Sequence, residues 1–375
     1  MKQEDFITLK ELSDLIILGG VGNFSKTDLP KVLAGKKLSV TPYIDTYSEG
    51  FNGSCSPKDL ETMMQFIYLY FTSPRSDEEA FQSFVQRTKA AIENQELNPM
   101  MTFSDSITKV LYNNHPLRTR VKADDVDKID YAKSMKLYKD RFADPNNFTF
   151  YFVGNIDENT FKPLVEQYLA SLKKNKRKES WKDINLSIPQ YEYICHYEKE
   201  MQNPKATVYT IIVGEMQYNY RNQLYMKALS DIMDIYYTRS IREEEGGTYG
   251  VGVMGQVSDK PKDAFLFLVG FDTNKDMYEK LLGKVYEGLN DVATNGPSQE
   301  DLTKVVENLY KKRAENLEEN DFWVDAIETY EEDNINIVAE YDEIVKSITT
   351  QTIADFAKEV MNGFKKEVVQ LPLEK

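Results

Sequence analysis

The residues best suited to chemistry stand together in SIREEEGGTYGVGV, Ser240 to Val253, where an arginine precedes a tyrosine by seven positions with two glycines between them. A guanidinium and a phenol brought together past a tight turn can both donate hydrogen bonds to one carbonyl or to a developing oxyanion. Arg242 falls in the last turn of a helical pattern that runs from Tyr220 to about Glu244, where its charge also complements the helix dipole. Gly246 and Gly247 suit the helix cap, at which a positive φ is wanted. Gly250 and Gly252 open a strand pattern whose own packing they weaken, and the approach of a second, extended backbone is a reason to keep them small. Gly250, Gly252 and Gly255 also spell G-x-G-x-x-G. A dinucleotide loop needs a strand before it and a helix after it, so that the helix N-terminus faces the pyrophosphate. Here the order is reversed, which excludes that reading.

The remaining reactive groups are few. His115 and His196 are the whole histidine inventory, and neither has a His or Glu at helical ligand spacing, so no zinc site is expected from this chain's own residues. His196 is expected on a strand, facing away from Cys195 by alternation. Cys55 and Cys195 stand far apart without a C-x-x-C; one bridge between them stays open, and two ordinary buried thiols are the expectation. With 46 Lys+Arg against 61 Asp+Glu the formal charge is −15, which argues against binding nucleic acid or anionic lipid. The basic run Lys173 to Lys178 reads as a solvated linker. No apolar run is long enough to span a bilayer, and the first residues carry no signal-peptide pattern.

What positions the Arg/Tyr motif is an internal repeat. A shift of 221 lays Leu60–Asn94 on Leu281–Glu315, with Glu79 on Glu300, Phe84 on Val305 and Val85 on Val306. Both copies read as helix, a break bearing Pro and Ser, and an acidic turn that opens a second helix. The same shift carries the helical Tyr131–Asp140 onto Thr352–Met361, and an apolar strand around Phe148–Val153 onto the segment beginning at Val369. Nearer the start the shift is 217 and LKELSDLI, Leu9–Ile16, meets MKALSDIM, Met226–Met233. The second copy opens with two alternating, strand-like runs, Tyr191–Lys199 and Ala206–Val213, for which the first copy has no room. The fold expected is therefore α+β: two tandem copies of one unit, each a mostly antiparallel sheet with helices packed on one face. The first copy, 1–172, lacks its N-terminal strands; a linker spans 173–190; the second copy, 191–375, carries the motif. A sheet edge left open in this way must be covered by upstream residues or by a partner chain.

Taken together, GGVGNFSKTDLPKVLAGKKLSV at Gly19–Val40, CSPKDLETMMQFIYLYFTSPRSDEEAF at Cys55–Phe81, FTFYFVGNID at Phe148–Asp157 and the Arg/Tyr motif resemble the C-terminal half of M16 peptidases, the pitrilysin or insulinase-like zinc metalloendopeptidases. The bacterial PqqL-like branch is the one most resembled. The resemblance implies that each half of such an enzyme holds two related α+β domains, and that two halves enclose the substrate. It implies an N-terminal half with an H-x-x-E-H zinc motif, and a C-terminal half without metal ligands. Arg242 and Tyr249 would reach the substrate near that zinc, with Gly250 in the peptide-accepting strand. The helix at the zinc-helix position of the first copy reads LSDLIILGG and holds no ligand. The function implied is a non-catalytic, substrate-binding half of a zinc endopeptidase, inactive alone and needing an H-x-x-E-H half that holds the zinc; an M16-like scaffold without peptidase work is the alternative. The compartment implied is periplasmic for part of a longer exported precursor, otherwise cytoplasmic.

Overall fold

The run Ala206–Gly214, ATVYTIIVG, is buried at every position except the half-buried Tyr209. A strand apolar on both faces must be covered on both, as the middle strand of a layered sheet. This differs from the alternation expected of it, and the difference shapes the second unit. The computed structural model describes residues 3–96, 98–175 and 179–373. Two compact units make up the chain, one of Met1–Asn98 with Pro116–Lys182, the other of Pro99–His115 with Asp183–Lys375.

In chain order the first unit holds α1 (Gln3–Lys10), α2 (Leu12–Ile16), α3 (Leu29–Val32), β1 (Leu38–Ile44), β2 (Glu49–Cys55), α4 (Leu60–Thr72) and α5 (Glu78–Glu96). Next comes α6 (Pro99–Tyr112), which packs in the second unit, then α7 (Ala123–Val126), α8 (Tyr131–Arg141) and α9 (Glu158–Leu164) of the first. β1 and β2 form an antiparallel pair, Leu38 opposite Cys55 and Ile44 opposite Glu49. Met63, Met64 and Ile67 of α4 pack with Val40 and Phe51 on one side of this pair. Leu12, Leu15, Ile16, Phe81, Val85 and Tyr138 form a neighbouring core, in which the fully buried Tyr138 hydroxyl donates to the Tyr70 carbonyl at 2.8 Å. Phe148–Val153, read from sequence as a strand, belongs to no ladder: this sheet has two strands only. The physical reason is the lack of a neighbour, since apolar alternation needs a partner strand to become a sheet.

The second unit continues with β3 (Tyr193–Lys199), β4 (Ala206–Gly214), α10 (Tyr220–Tyr237), β5 (Val251–Ser258), β6 (Ala264–Thr273), α11 (Tyr278–Asn295), α12 (Gln299–Asn316), α13 (Asn320–Asp333), α14 (Tyr341–Lys346), α15 (Thr350–Met361) and β7 (Phe364–Pro372). Its five strands run in the order β3-β7-β4-β6-β5, antiparallel except for the β3–β7 pair. Val208, Ile212, Phe265, Phe267, Val269 and Phe271 lie in one core with Leu229, Met233, Leu281, Val285 and Ala357 of α10, α11 and α15. The opposite face is not bare, as helices on one face would leave it. Phe103, Ile107, Val110 and Leu111, a stripe at helical spacing, put α6 against Tyr209, Ile211, Val213 and Val368. The Phe103 and Tyr209 rings meet edge to face, 4.9 Å between centroids. The helix that drifts furthest from its sequence neighbours thus meets the apolar second face of β4.

Candidate functional site

The site is the connection from α10 to β5. Asn219 caps α10 by accepting from the Asn222 amide at 2.8 Å. From there Leu229, Met233 and Tyr237 are fully buried, so the helix is held along its length. At its end the coil widens into a π-helical turn, Thr238–Glu243, in which the Glu244 amide donates to the Arg239 carbonyl at 3.0 Å. Such wide turns recur at functional sites because they re-aim side chains relative to a regular helix. Ile241 is fully buried in this turn, while Arg242 beside it is exposed.

Several contacts fix the turn and the loop after it. One Arg239 nitrogen donates to both carboxylate oxygens of Asp301, at 2.8 and 3.0 Å, and Asp301 in turn begins α12, its amide donating to Ser298. Burial pushes the Asp301 carboxyl up, but the Ser298 hydroxyl and the Arg239 guanidinium outweigh it and hold the group below the usual carboxylate range. The cap of the turn is Glu244, in helical conformation, rather than the two glycines expected there; Gly246, two residues further on, takes φ +62° in the loop. Gly247 is small for a different reason: a Cβ there would sit 2.7 Å from Met277 Cε and 2.9 Å from Leu281 Cδ1. Its carbonyl accepts from the buried Thr273 hydroxyl at 2.5 Å, and Glu245 pairs with Lys280. The Thr248 hydroxyl donates to the Gly250 carbonyl at 2.9 Å and accepts from the Gly250 amide at 3.2 Å.

Out of this braced loop project the two side chains singled out by sequence. Tyr249 is 100 % exposed, and neither it nor Arg242 makes a hydrogen bond, ion pair or ring contact among the described residues. The glycines that follow separate by role. A Cβ at Gly255 would lie 2.4 Å from Ser230 Oγ and 2.5 Å from Met226 Sδ, so that glycine lets α10 approach β5. A Cβ on Gly250 or Gly252 would meet no heavy atom within 4 Å. β5 is an end strand, bonded to β6 on one side only. The two edges of the sheet differ: β3 carries His196, Glu198 and Lys199, whereas Val251–Ser258 of β5 has no charge and no proline. Charged edges resist pairing with other chains, and a bare one invites it.

The other reactive groups lie elsewhere. Cys195 packs in the cluster under α6, and His196 points to the other face, its Nε2 3.1 Å from Glu367 and its ring edge-on to Tyr278. Both cysteines are free thiols, half-buried rather than buried. Zinc does not fit these residues: His196 has one carboxylate neighbour, and no three His, Cys, Asp or Glu side chains among the described residues group closely enough to hold a metal. No helix among the described residues is long and apolar enough to cross a membrane.

Residues 130–309, which contain Arg242, Tyr249 and Gly250, match the family described as the peptidase M16 inactive domain. Over these residues the chain is similar to the M16 peptidase inactive domain. It is 22% identical over 312 residues to a probable zinc protease PqqL of Haemophilus influenzae, covering 83% of this chain and 32% of that protein. It is 23% identical over 283 residues to a zinc protease PQQL-like of Arabidopsis thaliana, covering 72% of this chain and 30% of that protein. The chain thus spans about a third of the length of these curated relatives. Its fold matches the periplasmic protease PqqL from Escherichia coli with a TM-score of 0.86 at 16% identity, over 100% of this chain and 41% of that one. The mixed α+β class and the M16 recognition read from sequence therefore hold, and the matched domain is of the inactive type.

Sequence reasoning missed the brace behind the motif. Arg239 stands three residues before Arg242, one helical turn back, and Ser298-x-x-Asp301 has the spacing of a helix cap. Each is legible alone; that they bond to each other is not.

Proposed function

We propose that this chain is the substrate-binding, non-catalytic half of an M16 zinc endopeptidase, and that an extended peptide pairs with the free edge of β5. The observation that carries the reading is the combination at one strand end: a fully exposed Tyr249 followed by open space over Gly250 and Gly252 on an uncharged edge. Main-chain hydrogen bonds to the edge give affinity to any extended backbone, and pockets add selectivity. Arg242 and Tyr249 then donate to the peptide carbonyl and to the oxyanion that develops from it. The metal and the carboxylate base that activates water belong to an H-x-x-E-H half, on the same precursor or on a separate chain. Both halves share a compartment, periplasmic where they are exported as one precursor and cytoplasmic otherwise.

The test is reconstitution. This chain alone is expected neither to bind zinc stoichiometrically nor to cleave an extended peptide, and addition of the zinc half restores cleavage. In the complex, Tyr249→Phe or Arg242→Ala lowers turnover by about ten- to a thousand-fold, the range for loss of one oxyanion donor. Wild-type turnover in both variants would remove the role of the pair and leave the scaffold reading.

A further inference from the structure

A glycine inside a strand leaves its own backbone uncovered, and an aromatic side chain on the neighbouring strand can lie over it. Six glycines stand inside strands among the described residues: Gly50, Gly53, Gly214, Gly252, Gly255 and Gly270. Three of them face an aromatic residue directly across the ladder, Gly50 opposite Tyr43, Gly214 opposite Phe265 and Gly270 opposite Tyr209. In each pair the ring covers the glycine: a Cβ there would lie 3.1 Å from Tyr43 Cε1, 2.4 Å from Phe265 Cε1 or 2.6 Å from Tyr209 Cε1. Gly53 lies against the Ser39 carbonyl, and Gly255 against Ser230 of α10. Of the six, only Gly252 has no heavy atom within 4 Å of its Cβ position.

The strands of this sheet have no ring to give it. On the β6 side Gly252 faces Gly270, a second glycine that already carries the Tyr209 ring. On its other side β5 has no strand. The row Val368, Tyr209, Gly270, Gly252 thus crosses four strands and ends at the free edge on a bare glycine. Met254, on the same face by alternation, is 51 % exposed beside this row, and its partner Leu268 is half-buried. The floor is therefore backbone and one wall is a thioether, a shape and a chemistry that suit a flat ring. A strand added to the edge sets its side chains about 4.5–5.5 Å from the positions they face, so a ring at the position opposite Gly252 lies directly over it.

We infer that the peptide paired with β5 carries an aromatic side chain opposite Gly252, and that Gly252 and Met254 select for it. The inference rests on the β5 pairing proposed for the substrate and names the class of substrate that this pairing favours. Gly252 is three residues from Tyr249, about 10 Å along the strand. The aromatic residue therefore sits about three residues from the carbonyl that Tyr249 addresses.

Peptide titration of the intact 375-residue chain, labelled at its amides and methionine methyl groups for NMR, tests this without the zinc half. Three capped nine-residue peptides of alternating lysine and threonine differ only at the central residue, which is phenylalanine, leucine or alanine, so that their charge is the same. The phenylalanine peptide is expected to bind about three- to tenfold more tightly than the alanine peptide. It alone moves the Met254 methyl signal upfield by its ring current. Gly252→Val brings the ratio of the two affinities to about one, while the signals of the buried Met64 and Met233 stay in place as the mark of an intact fold. Equal binding of the three peptides, each shifting the β5 amides, would refute the aromatic preference and leave the β5 pairing standing. An advantage for phenylalanine that survives Gly252→Val, or that comes without the Met254 shift, would put the ring elsewhere and refute it as well. No shift at β5 with any of the three would overturn the pairing itself, and the inference with it.

Discussion

The substitution Gly252→Val separates the demands of folding from those of the site. Gly252 does not take the left-handed conformation that favours glycine, and a Cβ on it meets no atom within 4 Å. Nothing in the fold therefore asks for glycine. Replacing glycine in a compatible conformation removes unfolded-state freedom worth about 0.4–1 kcal/mol. A β-branched residue adds strand preference on a scale that spans about 1 kcal/mol. The expected gain is about 1 kcal/mol, or roughly 2–4 °C in the unfolding midpoint of a unit this size. In the reconstituted enzyme the same side chain meets the incoming peptide, and peptide turnover falls by about tenfold or more through a loss of about 1.4 kcal/mol in binding the transition state. Gly255→Val is the internal control: its side chain would overlap Ser230 and Met226, so it destabilises by about 1–3 kcal/mol. Differential scanning calorimetry and a fluorogenic peptide assay read both quantities. A Gly252→Val protein that is more stable and fully active would refute the argument that the open glycines are kept for a substrate backbone.

Other outcomes follow from the brace and the core. The Asp301 carboxyl is held below its unfolded value, so its contribution is present above about pH 4 and is lost as pH falls through the depressed value. Asp301→Ala is expected to cost about 1–2 kcal/mol at neutral pH, allowing for the half-exposure of Arg239, and to flatten the acid limb of the stability profile. An unaltered limb would show that the pair does not stabilise the turn. Arg313 lies 4.7 Å from the ring centres of both Phe322 and Tyr341 and donates to the Val338 carbonyl at 3.3 Å. Arg313→Met should cost about 1–3 kcal/mol in urea unfolding, and equal stability would dismiss the stacking. Tyr237→Phe removes the hydroxyl that donates to the Val285 carbonyl at 2.7 Å and should cost about 1 kcal/mol by the same measurement, no change showing that the carbonyl is satisfied without it.

By itself the sequence determined the motif and its local setting. Arg242 falls at the end of a helical run and Tyr249 precedes a strand, because helix ends and alternation are written in neighbouring residues, whereas the widening of the last turn and its cap at Glu244 are not. Tertiary structure decided what depends on residues far apart in the chain. The alternating Phe148, Phe150 and Phe152 are not a strand, because the property lies in the neighbour and not in the segment. α6 leaves its sequence neighbours for the second unit, because only there does β4 offer an apolar outer face. Lys366 on β7 is fully buried in the fold, its ammonium donating to the Tyr191 carbonyl at 2.8 Å and lying 4.3 Å from the Tyr191 ring centre. Which glycines are empty-sided and which are packed was likewise invisible, since Gly250, Gly252 and Gly255 share one motif and only their distant neighbours tell them apart.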